Sequence, residues 1–160
     1  MQTAMIAHAI ALLGNARYGR NYDAEHVMAM AAYHDACEVL TGDMPTPVKH
    51  NNPVLKAEYG RLEEAAARRL LSMLPEELRK EYEGLIRPDA DSREGRIVKA
   101  ADRISAYIKC LEEEKAGNRE FESARRTILL SIGQEELPEV KDFMNECVPG
   151  FSLTLDEISE

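Results

Sequence analysis

The 160-residue chain has no tryptophan, only three phenylalanines and three cysteines, and no long apolar run. A membrane-spanning helix needs about 20 mostly apolar residues, so the sequence predicts none. The apolar first segment lacks the basic start of a signal peptide. Cys37, Cys110 and Cys147 have no paired spacing of the kind found in zinc or redox motifs. These few, scattered cysteines indicate reduced thiols and a cytoplasmic protein.

Basic residues are also scarce, because 20 Lys and Arg stand against 29 Asp and Glu, for a net charge of -9. Such a chain repels the phosphates of nucleic acid polymers and of anionic membranes, so we expect neither as a partner. A small phosphorylated ligand remains compatible, since one bound cation can reverse the sign of the local field. A content of 44% hydrophobic and 31% charged residues is typical of a globular protein, and the length predicts one domain over residues 1–160.

Apolar residues recur at helical spacing along most of the chain, and the alternating stretch FSLTL is too short to build a sheet. Asp23 is a predicted N-cap, Pro53 a predicted first-turn residue, and Asp91 with Glu94 a predicted capping box. The pattern therefore predicts an all-α, single-domain bundle of about seven helices. Their predicted positions are residues 1–13, 24–38, from 53, from 75, 92–116, from 118 to before 133, and 138–147.

The segment AAYHDACEVLTGDMPTP carries the first candidate site. His34 lies four residues before Glu38, so a continuous helix would place both on one face, with Asp35 about 100° away. Imidazole nitrogen with carboxylate oxygen suits Mn, Fe, Co, Ni or Zn. The alternative is a helix end whose polar residues face water.

Asp102 is the second candidate, in the segment VKAADRISAYIKCLEE. It lies beside an apolar stripe that includes Ala101 and Ile104, although Arg103 next to it also fits a solvated edge. Two helices that both present carboxylates to a bundle interior would resemble a metal site built from facing helices.

The strings YHDACEVLTGDMPTPVK and VKAADRISAYIKCLEE, with VPGFSLTLDEIS near the end, resemble the HD-domain metal phosphohydrolases. The resemblance is strongest to the bacterial 5′-deoxynucleotidases and covers practically the whole chain. It implies an HD-type bundle that binds one divalent metal ion through His34, Asp35 and Asp102. It also implies a cytosolic homodimer that hydrolyses deoxyribonucleoside 5′-monophosphates to deoxynucleoside and phosphate.

The same resemblance implies two sets of substrate-handling residues. Glu38 and Asp43 would be the active-site carboxylates. The nucleotide site would be lined by Asp43, Met44, Pro45 and Thr46. Glu38 would move a proton either at the attacking water or at the leaving 5′-oxygen, and the sequence leaves both roles open.

The chain departs from the family pattern at its start. The family's first metal-binding histidine, in an EHS-type motif, and an upstream Arg-Trp pair both precede the stretch that matches Met1–Ala11. We therefore expect a shortened chain or a natural variant that lacks one ligand. Such a chain should fold but hold its metal weakly or not at all. His8 is expected to be a packing or surface residue. The alternatives are another HD phosphohydrolase, acting on a different phosphomonoester or a cyclic nucleotide, and an impaired chain that only binds nucleotide or dimerises.

Overall fold

The computed structural model describes residues 1–44 and 52–158, which contain helices and no strand. The α-helices are α1 (Gln2–Tyr18), α2 (Ala24–Tyr33), α3 (Glu38–Thr41), α4 (Pro53–Met73), α5 (Glu76–Ile86), α6 (Arg93–Lys115), α7 (Glu122–Gly133), α8 (Pro138–Glu146) and α9 (Leu155–Ile158). A 3₁₀ helix spans Val148–Ser152. Within the described ranges, α3 and α9 are single turns and seven helices are longer, which confirms the all-α prediction. None of these helices combines the length and apolarity needed to cross a membrane.

The chain divides into two compact units, residues 1–31 with 90–160 and residues 32–89. The prediction that residues 1–160 form a single domain stays a prediction. In the first unit, α1 packs against α6 and α8, and α6 also packs against α7. The largest fully buried apolar side chains of this unit are Ile10, Val27, Ile97, Ile104, Ile108 and Val140.

Helix α6 carries Asp102 on a rigid scaffold, because one face of the helix is buried in the core of the first unit. Ile97, Ile104 and Ile108 on that face are inaccessible to solvent. Ser92, rather than the predicted Asp91, caps the helix, and its Oγ accepts a hydrogen bond of 2.9 Å from the N–H of Gly95. The buried stripe and the cap explain why this helix begins and persists where the sequence predicts.

In the second unit, α4 packs against α3 and α5. Asn52 caps α4, since its Oδ1 accepts a hydrogen bond of 2.9 Å from the N–H of Val54, and Pro53 occupies the first turn as predicted. Tyr59, Ala66 and Ala67 form the buried face of α4.

The predicted end of the second helix was wrong. This helix was expected to run from 24 to 38, but α2 ends at Tyr33 and residues 34–37 form turns. The N–H of Ala36 donates to the carbonyl of Tyr33, and that of Glu38 to Asp35, both at 2.9 Å. These bonds span three residues instead of four, so the chain winds more tightly than an α-helix before α3 begins. The helical geometry assumed for His34 and Glu38 therefore does not apply.

Two other boundaries differ from the predictions. Helix α1 continues to Tyr18, five residues beyond the predicted 13, and ends at Gly19 with φ +60°. Asn118 does not cap the sixth long helix, because α7 begins at Glu122. The Asn118 side chain instead accepts a hydrogen bond of 3.1 Å from the N–H of Glu120, inside the preceding turn.

Candidate active site

His34 and Asp35 lie in the tight turn that follows α2. Nε2 of His34 is 2.9 Å from Oδ2 of Asp35. The His34 side chain is only 19% exposed, whereas that of Asp35 is 56% exposed. The turn therefore holds a shielded imidazole and a solvent-facing carboxylate side by side, although the two residues are consecutive in the sequence.

This pair has the composition of two ligands of one metal ion. In the structure their separation of 2.9 Å is that of a direct ion pair, which a metal ion bound to both residues would replace. Imidazole and carboxylate donors together suit a divalent ion of the first transition series.

Asp102 lies in the first unit, on α6, between the buried residues Ala101 and Ile104. Its own side chain is exposed, so its carboxylate is at the edge of the buried stripe rather than inside it. Asp102 offers a carboxylate oxygen, the donor that the family resemblance implies for the third metal ligand. The donor chemistry of the three predicted ligands thus fits the implied metal.

The predicted carboxylates Glu38 and Asp43 lie at the two ends of one short segment. Glu38 is half-buried at the first position of α3, and Asp43 is exposed just after this helix. Met44 is half-buried. The other two predicted substrate-binding residues, Pro45 and Thr46, lie outside the described residues.

Gly42 links α3 to Asp43 and is fixed at both of its polar groups. Its N–H donates to the carbonyl of Glu38 at 2.9 Å, and its carbonyl accepts a hydrogen bond of 2.7 Å from the hydroxyl of Tyr59. The backbone of Gly42 has φ +71°, a conformation that favours glycine. Thr41 adds a second hydroxyl, 3.0 Å from the same carbonyl oxygen.

Tyr59 was not among the site residues predicted from the sequence. Tyr59 is 4% exposed, and a tyrosine at such a position needs a partner for its polar end. The sequence did contain one indication of this role. Leucine or phenylalanine would also fill a core position, so a tyrosine there indicates a hydrogen-bonded hydroxyl. The partner could not be predicted, because it lies 17 residues away in the sequence.

Cys37 lies in the same turn. Burial, followed by the nearby carboxylates of Glu63 and Glu64, raises the pKa of this thiol above its ordinary value. The residue is therefore in its thiol form at neutral pH, which argues against a role as a thiolate nucleophile.

Comparison with known proteins identifies the family of this chain. The family model of the YfbR-like 5′-deoxynucleotidases matches residues 1–151. A 5′-deoxynucleotidase of Erwinia tasmaniensis is 50% identical, with 100% of this chain and 81% of that protein covered. One from Vibrio vulnificus is 47% identical over 99% of this chain and 82% of that protein. One from Shewanella oneidensis is 45% identical over 100% of this chain and 83% of that protein.

A solved structure supports the fold independently. The chain superposes on an HD-domain phosphohydrolase from Listeria innocua with a TM-score of 0.82, over 99% of this chain and 77% of that one. At 23% identity this likeness concerns the fold alone. The match over residues 1–151, together with relatives near 50% identity, confirms the resemblance carried by the two HD-type segments. The chain belongs to the YfbR-like 5′-deoxynucleotidase family.

Proposed function

We propose that this chain is a phosphoric monoester hydrolase that releases phosphate from deoxyribonucleoside 5′-monophosphates with the help of one divalent metal ion. The observations that carry the proposal are the His34–Asp35 pair, whose donor atoms lie 2.9 Å apart, and the match to the family over residues 1–151. The resemblance adds Asp102 as the third ligand. The three residues supply one nitrogen and carboxylate oxygens, the donors expected around an ion of the Mn, Fe, Co, Ni or Zn type.

Electrostatics explain why the reaction needs a cation. Asp35, Glu38 and Asp43 lie within nine residues of one another in a chain of net charge -9. A phosphate anion approaching these carboxylates is repelled unless a positive charge is interposed. A divalent ion held there would polarise the phosphate oxygens and lower the pKa of a water molecule.

The chain's own residues supply binding and proton transfer. Hydrolysis forms a bond between a water oxygen and phosphorus, breaks the bond from phosphorus to the 5′-oxygen, and moves a proton to that oxygen. Glu38 would either accept the proton of the attacking water or donate one to the leaving oxygen. Glu38 is half-buried at the start of α3, directly after the turn that carries His34 and Asp35.

The segment from Asp43 to Thr46 would bind the nucleoside part of the substrate. Asp43 is exposed immediately after the constrained Gly42, so its carboxylate is available to accept hydrogen bonds from sugar hydroxyls. Met44, half-buried, offers an apolar contact beside it. Pro45 and Thr46 enter this proposal through the family resemblance.

We also propose that the protein is a cytoplasmic homodimer and that it binds neither nucleic acid polymers nor membranes. The free cysteines at 37, 110 and 147 support a reducing compartment. The acidic net charge supports the absence of polyanionic partners. Dimerisation rests on the family resemblance and is tested by measuring the mass in solution.

The direct test is a phosphate-release screen with chain that has been stripped of metal and then supplied with one ion at a time. The panel contains deoxyribonucleoside and ribonucleoside 5′-monophosphates, deoxyribonucleoside 3′-monophosphates and a cyclic nucleotide. We expect release from deoxyribonucleoside 5′-monophosphates only when metal is present. Activity confined to other phosphate esters or to the cyclic nucleotide would favour a different HD phosphohydrolase. Nucleotide binding without turnover would favour an impaired chain.

The role of Glu38 is tested by changing the leaving group. If Glu38 is the general acid, Glu38→Gln should hydrolyse p-nitrophenyl phosphate almost normally, because that leaving group needs no proton. Turnover of the nucleotide should then fall. If Glu38 is instead the general base, the variant should lose turnover of both substrates to a similar extent.

A further inference from the structure

We infer that Tyr59 is a positioning residue, which orients Asp43 for recognition of the nucleoside through its hydrogen bond to Gly42. The inference rests on the proposed function and adds to it a residue that contacts no reacting atom. It is carried by the contacts between α3 and α4 within the second unit.

The hydroxyl of Tyr59 acts on a single peptide group. It donates to the carbonyl oxygen of Gly42 at 2.7 Å. That carbonyl and the N–H of Asp43 belong to the same planar peptide, in which they point in opposite directions. Holding the oxygen therefore also fixes the direction of the Asp43 N–H and the starting position of its side chain.

The other end of the segment is held as well. The N–H of Gly42 donates to the carbonyl of Glu38 at 2.9 Å, and φ of Gly42 is +71°. Without the contact from Tyr59, glycine would have a wide choice of ψ at this point, because it has no Cβ. The hydroxyl thus restricts the torsion that sets Asp43 relative to Glu38.

The burial of Tyr59 makes it a firm anchor. The residue is 4% exposed, so its ring cannot swing away without opening the packing of α4. A phenylalanine would keep that packing and remove only the hydroxyl. Thr41 lies 3.0 Å from the Gly42 carbonyl and 3.4 Å from the Tyr59 hydroxyl, so part of the restraint would survive the change.

The test compares Tyr59→Phe with the wild-type chain on two substrates. We expect KM for a deoxyribonucleoside 5′-monophosphate to rise about fivefold to tenfold, because Asp43 is no longer held in its binding position before the substrate arrives. Hydrolysis of p-nitrophenyl phosphate, which has no sugar, should stay within about twofold. Metal content should match the wild type, and the melting temperature should fall only slightly, because the variant loses one intramolecular hydrogen bond. Tyr18→Phe, which also loses a hydroxyl hydrogen bond but only to Asp142, serves as the control for both readouts.

A readout independent of activity follows the Asp43 amide by NMR. In Tyr59→Phe, the chemical shift of this amide should change and its order parameter should fall. In Tyr18→Phe, both should keep their wild-type values. Thr41→Val should produce a smaller change of the same kind. An equal loss on both substrates, or an unchanged Asp43 amide, would overturn the inference in favour of a purely structural tyrosine. A wild-type chain inactive on both substrates would contradict the proposed function instead, and the Asp43 amide would still decide whether Tyr59 orders this peptide.

Discussion

Nε2 of His34 lies 2.9 Å from Oδ2 of Asp35, in a turn that brings two consecutive side chains to the same point. Neighbours in an α-helix diverge by about 100°, so this approach depends on the end of α2 at Tyr33. The three-residue hydrogen bonds of the turn therefore support the candidate metal site, because they hold the side chains of two adjacent residues close together.

Loss of the imidazole should remove the metal. We expect His34→Ala to weaken metal binding by more than about 100-fold, since even supporting residues of metal sites contribute 10- to 100-fold. Metal analysis after dialysis against a weak chelator measures the change. His26→Ala, an exposed histidine of α2, is the matched control and should retain wild-type metal content. Equal metal content in both variants would exclude His34 as a ligand.

Glu38 should affect turnover and not metal occupancy. Glu38→Gln keeps the size of the side chain and removes its ability to exchange a proton, so kcat should fall by roughly 10²- to 10⁴-fold. Steady-state kinetics and metal analysis on the same preparation provide the two measurements. Metal lost together with activity would make Glu38 a ligand or a support of the site.

The pairing of Glu135 with Arg96 should make stability depend on pH. Burial alone raises the pKa of Glu135, but the hydrogen bond and charge of Arg96, with the N–H groups of residues 136 and 137, outweigh it and lower the pKa overall. A lowered pKa means that the stabilisation is fully present above the unfolded value of about 4.3 and disappears as the pH falls through the folded value.

Glu135→Gln should therefore lower the free energy of unfolding by about 1 kcal/mol at pH 7, a modest value because the Arg96 end is partly exposed. The difference from the wild type should shrink as the pH falls below about 4. Urea unfolding followed by circular dichroism at several pH values measures it. Glu136→Gln, at the exposed neighbouring position, should change stability much less. A difference that is constant down to pH 3 would contradict the assigned pKa direction.

Two glycines in helices should respond oppositely to alanine. A Cβ on Gly14 would lie 2.6 Å from Cε2 of Tyr22, whose hydroxyl donates to the buried Glu139 at 2.7 Å and leaves the ring little freedom. Gly14→Ala should destabilise the chain by about 1–3 kcal/mol. Gly84→Ala, where nothing lies within 4 Å, should stabilise it by about 0.5–1 kcal/mol through helix propensity. A thermal melt of each variant gives the sign, and stabilisation by both changes would show that the Tyr22 ring yields.

The sequence predicts those parts of the fold that depend on local periodicity and capping. The stripe that contains Ile104 fixes α6, and Asn52 with Pro53 fixes the start of α4. The turn at 34–37 was not predictable, because residues such as Ala36 and Cys37 are compatible with both three- and four-residue hydrogen bonds.

The candidate site also has a part that the sequence predicts and a part that it does not. Its donor residues could be recognised from their types and from the resemblance of the two HD-type segments to a known family. The contact of Tyr59 with Gly42 joins positions 17 residues apart and depends on how α3 and α4 pack. No local pattern encodes such a contact, so only the structure reveals it.

We propose that His34, Asp35 and Asp102 bind the ion on which phosphate release depends. The most direct measurement is phosphate release from a deoxyribonucleoside 5′-monophosphate by metal-stripped chain titrated with Mn²⁺ or Co²⁺, for the wild type, Asp102→Asn and the control Asp156→Asn. We predict that activity of the wild type and of Asp156→Asn rises saturably with metal. Asp102→Asn should require at least about tenfold more metal to reach half its maximum. Full activity of the wild type without metal, or an unchanged metal requirement in Asp102→Asn, would contradict the account.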